Sequence, residues 1–312
     1  MEKEPEKVIE LVNVRKVYRM GNEKIYAVDD VSFDIKKGEF CCLLGTSGSG
    51  KSTLLNLMAG IEKATSGKII IKGKNIIKMN ENNLARFRQR YLGFVFQAYN
   101  LINSMTATEN VEFPLVFKKY RPKRRRKLAR EMLIKVGLQS RLSHKPKEMS
   151  GGQQQRVGIA RAFVAKPEIV FADEPTGNLD TRTTIEVMEL IKQMARDNNQ
   201  TIVMVTHDRS LAAYADKIIH ILDGKVQSIE VTERDKQENM QAHLKEVSKK
   251  LLLERGGEMT AEVPEEAEKE SAATELQEEA ETEGTISGKE GKAKPGGNAP
   301  EPAGRNATDN RE

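Results

Sequence analysis

Cysteine is nearly absent, aromatic residues make up 5% of the chain, and no run of eighteen apolar residues occurs. The two cysteines, Cys41 and Cys42, are adjacent in an apolar segment, a geometry that suits packing and not a cross-link, so no disulfide or zinc framework is expected. Lacking a long apolar run, and a basic start leading into an apolar stretch and a small-residue cleavage site, the chain reads as having neither a spanning helix nor a signal peptide. The expectation is a protein on the cytosolic side. What is there is 312 residues, 38% hydrophobic and 31% charged, enough for one or two domains with real cores.

The net charge of +5 hides an asymmetry. Residues 1–230 carry 39 Lys/Arg against 26 Asp/Glu, whereas residues 231–312 carry 12 against 20. The acidic end has almost no large apolar residue beyond Leu276 and cannot offset its ordering entropy by burial, which predicts disorder over 257–312. Between body and tail, Met240, Leu244, Val247 and Leu251 share one helical stripe, predicting an amphipathic helix over 231–256. The stripe is too short for a heptad series and reads as packing on its own body, with a partner-binding helix as the other reading.

In the body, β-rich runs at 40–44, 92–96, 169–172, 202–206 and 218–222 alternate with longer helical patterns, as in an α/β sheet of buried strands. Residues 8–18 and 25–35 read as antiparallel strands around a turn at Gly21-Asn22, and 68–72 as a strand leading to a turn at Gly73; together they predict a small β subdomain. The stretch 107–143 carries helical spacing at Leu128, Met132, Leu133 and Val136 and forms a helical insertion.

Gly45-Thr46-Ser47-Gly48-Ser49-Gly50-Lys51-Ser52 fits G-x-x-x-x-G-K-[ST] between an apolar strand and a helix. Glycines let backbone N–H groups turn onto phosphates, the following helix start adds partial positive charge, Lys51 reaches β/γ oxygens, and Ser52 can place its hydroxyl on Mg2+. The run 169–172 ends in Asp173 and Glu174, a metal-directed acid and a base for water. Two further strands end in Gln97 and His207. Singly, such residues usually satisfy backbone groups; together they place four polar groups at the carboxyl ends of strands, where open α/β sheets bind ligands. Ser150-Gly151-Gly152-Gln153 begins another helix, either as ordinary capping or as a second anion site.

In this order the motifs resemble the nucleotide-binding subunit of ATP-binding-cassette transporters over residues 8 to 230. Met149 to Gln153 is similar to that family's signature motif, Gln97 to its Q-loop, Gly177-Asn178-Leu179-Asp180 to its D-loop, His207 to its switch histidine, and Tyr18 to the aromatic that stacks on adenine. Finer features, including Ala172 to Asp180, resemble the branch serving lipoprotein release, macrolide-type export and antimicrobial-peptide resistance. Met149 stands where a Leu is usual, and the acidic tail has no counterpart in that family.

The resemblance implies a P-loop ABC-type α/β cassette over 1–230, with a mainly parallel core sheet, an antiparallel β subdomain and a helical subdomain at 97–150. It implies a homodimer holding ATP and Mg2+ and acting on separate integral-membrane permease subunits. The implied nucleotide set is Tyr18, Gly45, Thr46, Ser47, Gly48, Ser49, Gly50, Lys51, Ser52, Thr53 and Asp180, with Ser150, Gly151, Gly152 and Gln153. Ser150-Gly151-Gly152 would come from the second subunit. Mg2+ falls to Ser52, Gln97 and Asp173, and catalysis to Glu174, His207, Gln97 and Lys51. Location would be peripheral, on the cytoplasmic face of the membrane.

From Phe113 through Arg130 there are nine basic residues and no acid, which reads either as a solvated helix face or as a contact for anionic lipid. Other readings are a soluble nucleic-acid-associated ATPase of the same class and a regulatory or mechanical-signalling subunit. The first is disfavoured because Ser52 and Ser150 lie fewer than a hundred residues apart, leaving no room for a long coiled coil, and no nucleic-acid partner is expected. The intact catalytic set argues against degenerate regulation.

Overall fold

The computed structural model describes residues 6–232. The expected amphipathic helix and acidic tail lie outside these residues from 233 onward, and Val231 still belongs to a strand.

Strands β1 (Lys7–Met20) and β2 (Glu23–Lys36) form the hairpin, turning at Gly21-Asn22 as its dipeptide predicts. With β4 (Ser66–Ile71) and β5 (Lys74–Asn75) they make a four-stranded antiparallel sheet in the order β2-β1-β4-β5. The second sheet holds β3 (Phe40–Leu44), β6 (Leu92–Phe96), β7 (Ile169–Asp173), β8 (Thr201–Thr206), β9 (Lys217–Leu222) and β10 (Lys225–Val231). Its order is β10-β9-β3-β8-β7-β6, parallel throughout except for β10.

Helix α1 (Lys51–Met58) follows β3 and α2 (Glu81–Tyr91) precedes β6. Helices α3 (Ala107–Phe117), α4 (Pro122–Lys135) and α5 (Gly151–Phe163) lie between β6 and β7, and α6 (Thr181–Asp197) between β7 and β8. The insertion therefore falls where the spacing predicts.

Why the strands read as unbroken apolar runs is visible in the packing. Successive strand side chains point to opposite faces, and both faces of this sheet are covered. Phe40, Cys42, Leu44, Ile202 and Met204 join one core with the buried sides of α3 to α6. Cys41, Leu43, Val203 and Val205 join another with α1 and the antiparallel sheet. The two thiols thus face away from each other. Burial pushes the Cys42 thiol up to about 12 and Cys41 well above its usual value, so both stay protonated packing groups.

Two elements escape the sequence pattern. Helix α2 buries only Leu84 and Phe87, too short a stripe to announce a helix, and β10 is almost wholly exposed on the edge of its sheet.

Candidate functional site

Register decides where the strand ends fall. Leu44 pairs with Thr206, Val205 with Asp173, and Asp173 with Phe96. Gly45, His207, Glu174 and Gln97 each follow one of these residues, so four chain segments enter one rim with almost no stagger. The four-strand convergence expected from the sequence is present.

The phosphate loop is shaped by backbone contact. Gly50 caps α1 in the left-handed region (φ 97°), and a Cβ there would lie 2.1 Å from the Ala27 carbonyl oxygen; a Cβ on Gly45 would lie 2.2 Å from the Ile221 carbonyl oxygen. At Gly50 only glycine satisfies both the dihedral and the space, and at Gly45 the space alone demands it. Within the loop the buried Lys51 ammonium donates to the Thr46 carbonyl oxygen at 2.6 Å and to Ser49 Oγ at 3.4 Å. Burial pulls the Lys51 pKa down, and the charges of Glu174 and Asp173 push it back up.

Ser52 Oγ donates to Asp173 Oδ1 at 3.1 Å. Burial raises the Asp173 pKa; the Ser52 hydrogen bond lowers it, the Glu174 charge raises it, and Lys51 lowers it. A carboxylate disfavoured in this way, beside a hydroxyl and a second carboxylate, favours a cation. Among the described residues no cluster of three His, Cys, Asp or Glu side chains is positioned to hold a metal unaided. The donors suit an ion that takes its remaining ligands from phosphate and water, which is how Mg2+ is usually held. ATP and Mg2+ therefore fit the residues present.

Asp173→Asn should leave the thermal midpoint of the nucleotide-free protein unchanged or higher, because the raised pKa means the folded chain disfavours the ionised form. The same variant should lose Mg2+-dependent turnover by about 100-fold or more, the loss expected when an electrostatic group of the transition state is removed. Scanning calorimetry alongside phosphate release separates the two effects.

Glu174 has a left-handed backbone (φ 43°), rare for a residue with a side chain, and its N–H donates to the Val205 carbonyl oxygen at 3.0 Å. The bend ends β7 and brings the carboxylate to His207, whose Nδ1 lies 3.0 Å from Oε1. An ionised carboxylate only accepts, so Nδ1 carries the proton and Nε2 is left for another partner. A cleft of about 540 Å³ opens beside the loop, lined by Gly45, Thr46, Ser47, Glu174, His207 and Arg209.

Tyr18 lies near the end of β1 with its ring about one-third exposed. Its hydroxyl donates to Glu62 Oε2, while the Lys16 ammonium sits 4.9 Å from the ring centroid. Burial is the main cause of its raised pKa.

Ser150 and Asp180 are both helix caps in this chain. Ser150 Oγ accepts from Gln153 N at 3.3 Å and Gln153 Oε1 accepts from Ser150 N at 3.0 Å, a closed capping box on α5. Asp180 accepts from Thr183 N at 3.0 Å and Thr183 Oγ1 at 2.7 Å on α6, bonds that lower its pKa. Ser150, Gly151, Gly152 and Gln153 do not line the cleft beside the chain's own loop. Gln97 is linked to the D-loop-like segment: its carbonyl oxygen accepts from Asn178 Nδ2 at 3.0 Å, and its side-chain amide abuts Gly177, where a Cβ would lie 2.7 Å away.

Three residues not singled out from the sequence hold this arrangement. Gln155, fully buried on α5, donates to the Pro175 carbonyl oxygen directly after Glu174. Asn110, buried on α3, accepts from Ile102 N at 2.8 Å and donates to the carbonyl oxygens of Ile102 and Met105 at 3.1 Å, pinning the segment after Gln97. Arg161 donates to the carbonyl oxygens of Asn100 (2.5 Å) and Tyr99 (2.7 Å), both left-handed. The available signal was a polar residue on an otherwise apolar stripe, as Gln155 is four before the buried Ile159.

Residues 28–177 match the family profile described as ABC transporter. The chain is 45% identical over 224 residues to an uncharacterized ABC transporter ATP-binding protein of Thermotoga maritima, covering 72% of this chain and 95% of that one. It is 43% identical over 219 residues to the macrolide export ATP-binding/permease protein MacB of Hyphomonas neptunium, 70% of this chain but about a third (34%) of the relative's length. Among solved structures, the dimeric post-hydrolysis state of the ATP-binding cassette MJ0796 of Methanocaldococcus jannaschii, bound to ADP and Pi, is similar with a TM-score of 0.68 at 43% identity, covering 72% of this chain and 99% of that one.

Proposed function

The chain belongs to the ABC transporter family, and on that premise we propose that it is the ATP-hydrolysing subunit powering a separate integral-membrane permease, peripheral on the cytoplasmic face of the membrane. Two copies close on two ATP molecules in this reading. The observation that carries it is the single rim where Lys51, Ser52, Asp173, Glu174 and His207 converge, with the second anion-ready helix start outside that cleft. A site so divided needs a second copy to bring Ser150, Gly151 and Gly152 to the nucleotide. The dimeric state of the related M. jannaschii cassette supports this assembly. Export or extraction from the membrane is favoured by the likeness to the macrolide exporter. No helix among the described residues is long and apolar enough to cross a membrane.

In this mechanism the loop amides and Lys51 bind the β/γ phosphates and offset their charge. Ser52, Asp173 and Gln97 would hold Mg2+, which would supply positive charge to offset that of the phosphates. Glu174 accepts the proton of the attacking water. His207, held at Nδ1 by Glu174, presents Nε2 to the γ-phosphate and would donate to it only as the doubly protonated imidazolium, and Tyr18 provides a face for adenine. Gln97, joined to Asn178, ties together the segments that follow β6 and β7, and Gln155, joined to Pro175, links the rim to α5.

Force would leave through an apolar groove of about 580 Å³ beside Gln97, lined by Phe94, Phe96, Phe113, Pro114 and Phe117 and rimmed by arginines. Its size and exposed Phe117 suit a short helix of the permease.

The test is assembly. Adding an ATP analogue with Mg2+ to the purified chain should shift its sedimentation from monomer to dimer, and Ser150→Arg should abolish the shift. A chain that stays monomeric at saturating nucleotide, or an ATPase stimulated by DNA or RNA, would overturn this reading in favour of a different class of ATPase.

A further inference from the structure

The apolar groove is flanked on both sides by positive charge. On one side a pocket of about 320 Å³ is formed by Lys74, Asn83, Arg86 and Arg90 around the rings of Phe87 and Tyr91, and no carboxylate lines it. Lys74 and Arg90 each stand over Tyr91, 5.9 and 5.3 Å from its centroid. Lys72 lies over the same ring at 5.1 Å but is paired with Glu168. Arg86 lines both this pocket and the groove, so the two adjoin.

On the other side the end of α3 exposes Val116 and Phe117, and the basic run begins directly after them. Lys118 donates to the Ala165 carbonyl oxygen at 2.7 Å, and the nearby Arg90 charge helps pull its pKa down, behind burial as the main cause. Ala165 lines the groove, so the basic run starts at its edge. Within the run, Arg125 is balanced by Glu112, Lys127 by Glu131, and Arg126 lies in the field of Glu109, whereas Lys119, Arg121 and Lys123 are exposed and form no ion pair with another described residue.

We propose that this face, from the Lys74-Arg86-Arg90 pocket across the groove to Lys119 and Lys123, docks on anionic lipid headgroups, with a headgroup phosphate seated in the pocket against Tyr91. It rests on the permease reading for its orientation: a groove that takes a membrane protein's helix turns its rim toward the bilayer. Bare apolar side chains amid the cations suit an interface of headgroups and acyl chains, where the ring and the aliphatic stems can lie at the boundary. Each cation close to such a surface contributes about a fivefold gain in partitioning, and the attraction is screened by salt.

The experiment is vesicle flotation of the full chain, with neutral phosphatidylcholine vesicles against vesicles containing phosphatidylglycerol. The chain should float only with the anionic vesicles and be released by high salt. The quadruple variant Lys74→Glu, Arg90→Glu, Lys119→Glu, Lys123→Glu should lose at least about 100-fold in partitioning while its soluble ATPase is unchanged. A control of equal net charge, Lys24→Glu, Lys68→Glu, Lys147→Glu, Arg196→Glu, should float several-fold better than that variant. Equal flotation of parent and variant, equal loss in the control, or binding of RNA in place of anionic vesicles would overturn the proposal. The vesicles hold no permease, so failure of the groove reading would show separately, as absent copurification of a permease with flotation intact.

Discussion

Glu174→Gln should lower ATP turnover by roughly 100-fold or more, the span of a positioned general base, while Mg2+-ATP binding stays within a few-fold of the parent. The amide keeps the shape of the carboxylate, and its oxygen still accepts the His207 Nδ1 proton now donated across 3.0 Å. What it loses is basicity: an amide takes no proton from water. The left-handed turn at Glu174 is held by backbone bonding to Val205 and tolerates glutamine as it does glutamate. The contrast between lost turnover and retained affinity is the signature, read by single-turnover phosphate release beside equilibrium nucleotide binding. Turnover at the parent rate in a folded variant would remove Glu174 from the role of base.

Lys51→Ala should act at the other end of the reaction and weaken ATP binding itself, by about 100-fold or more. The residue is almost fully buried, and its charge interacts with both carboxylates that the structure brings to the rim. Without it, Asp173 and Glu174 would repel the incoming phosphates, and the Thr46 carbonyl and Ser49 hydroxyl would lose a donor. Removing one partner of a buried charged set typically costs about 3–5 kcal/mol, a large part of which falls on the ligand here because the phosphates complete the set. Fluorescent-nucleotide titration measures it. An affinity unchanged by the substitution would mean that the loop amides alone carry the phosphates and that Lys51 is only a packing group.

Much of the fold was legible because its signals are local. An apolar run followed by Gly45 to Ser52 announces a strand, a turn and a helix start within thirteen residues, and the same holds for the run that ends in Asp173 and Glu174. The hairpin turn at Gly21-Asn22 and the helical insertion likewise follow from dipeptide and periodicity. Helix α2 and β10 were illegible for the opposite reason: each is mostly solvated, and a two-residue apolar stripe or an exposed edge strand leaves no periodic trace. Gln155, Asn110 and Arg161 were missed because their work is to bond carbonyl oxygens of remote segments, and nothing in their immediate neighbours encodes that partner.

The amino-acid order alone settled the chemistry available here: a glycine loop with one lysine, an acid pair, an imidazole and an amide, each at the end of an apolar strand. Only the tertiary structure decided that these groups share an edge, because strand register, read in the pairing of Leu44 with Thr206 and of Val205 with Asp173, is set by contacts between segments far apart in the chain. It also decided that Ser150 begins its helix outside the chain's own cleft. Side-chain identity is a local property, whereas the distance between two side chains depends on the whole packed core.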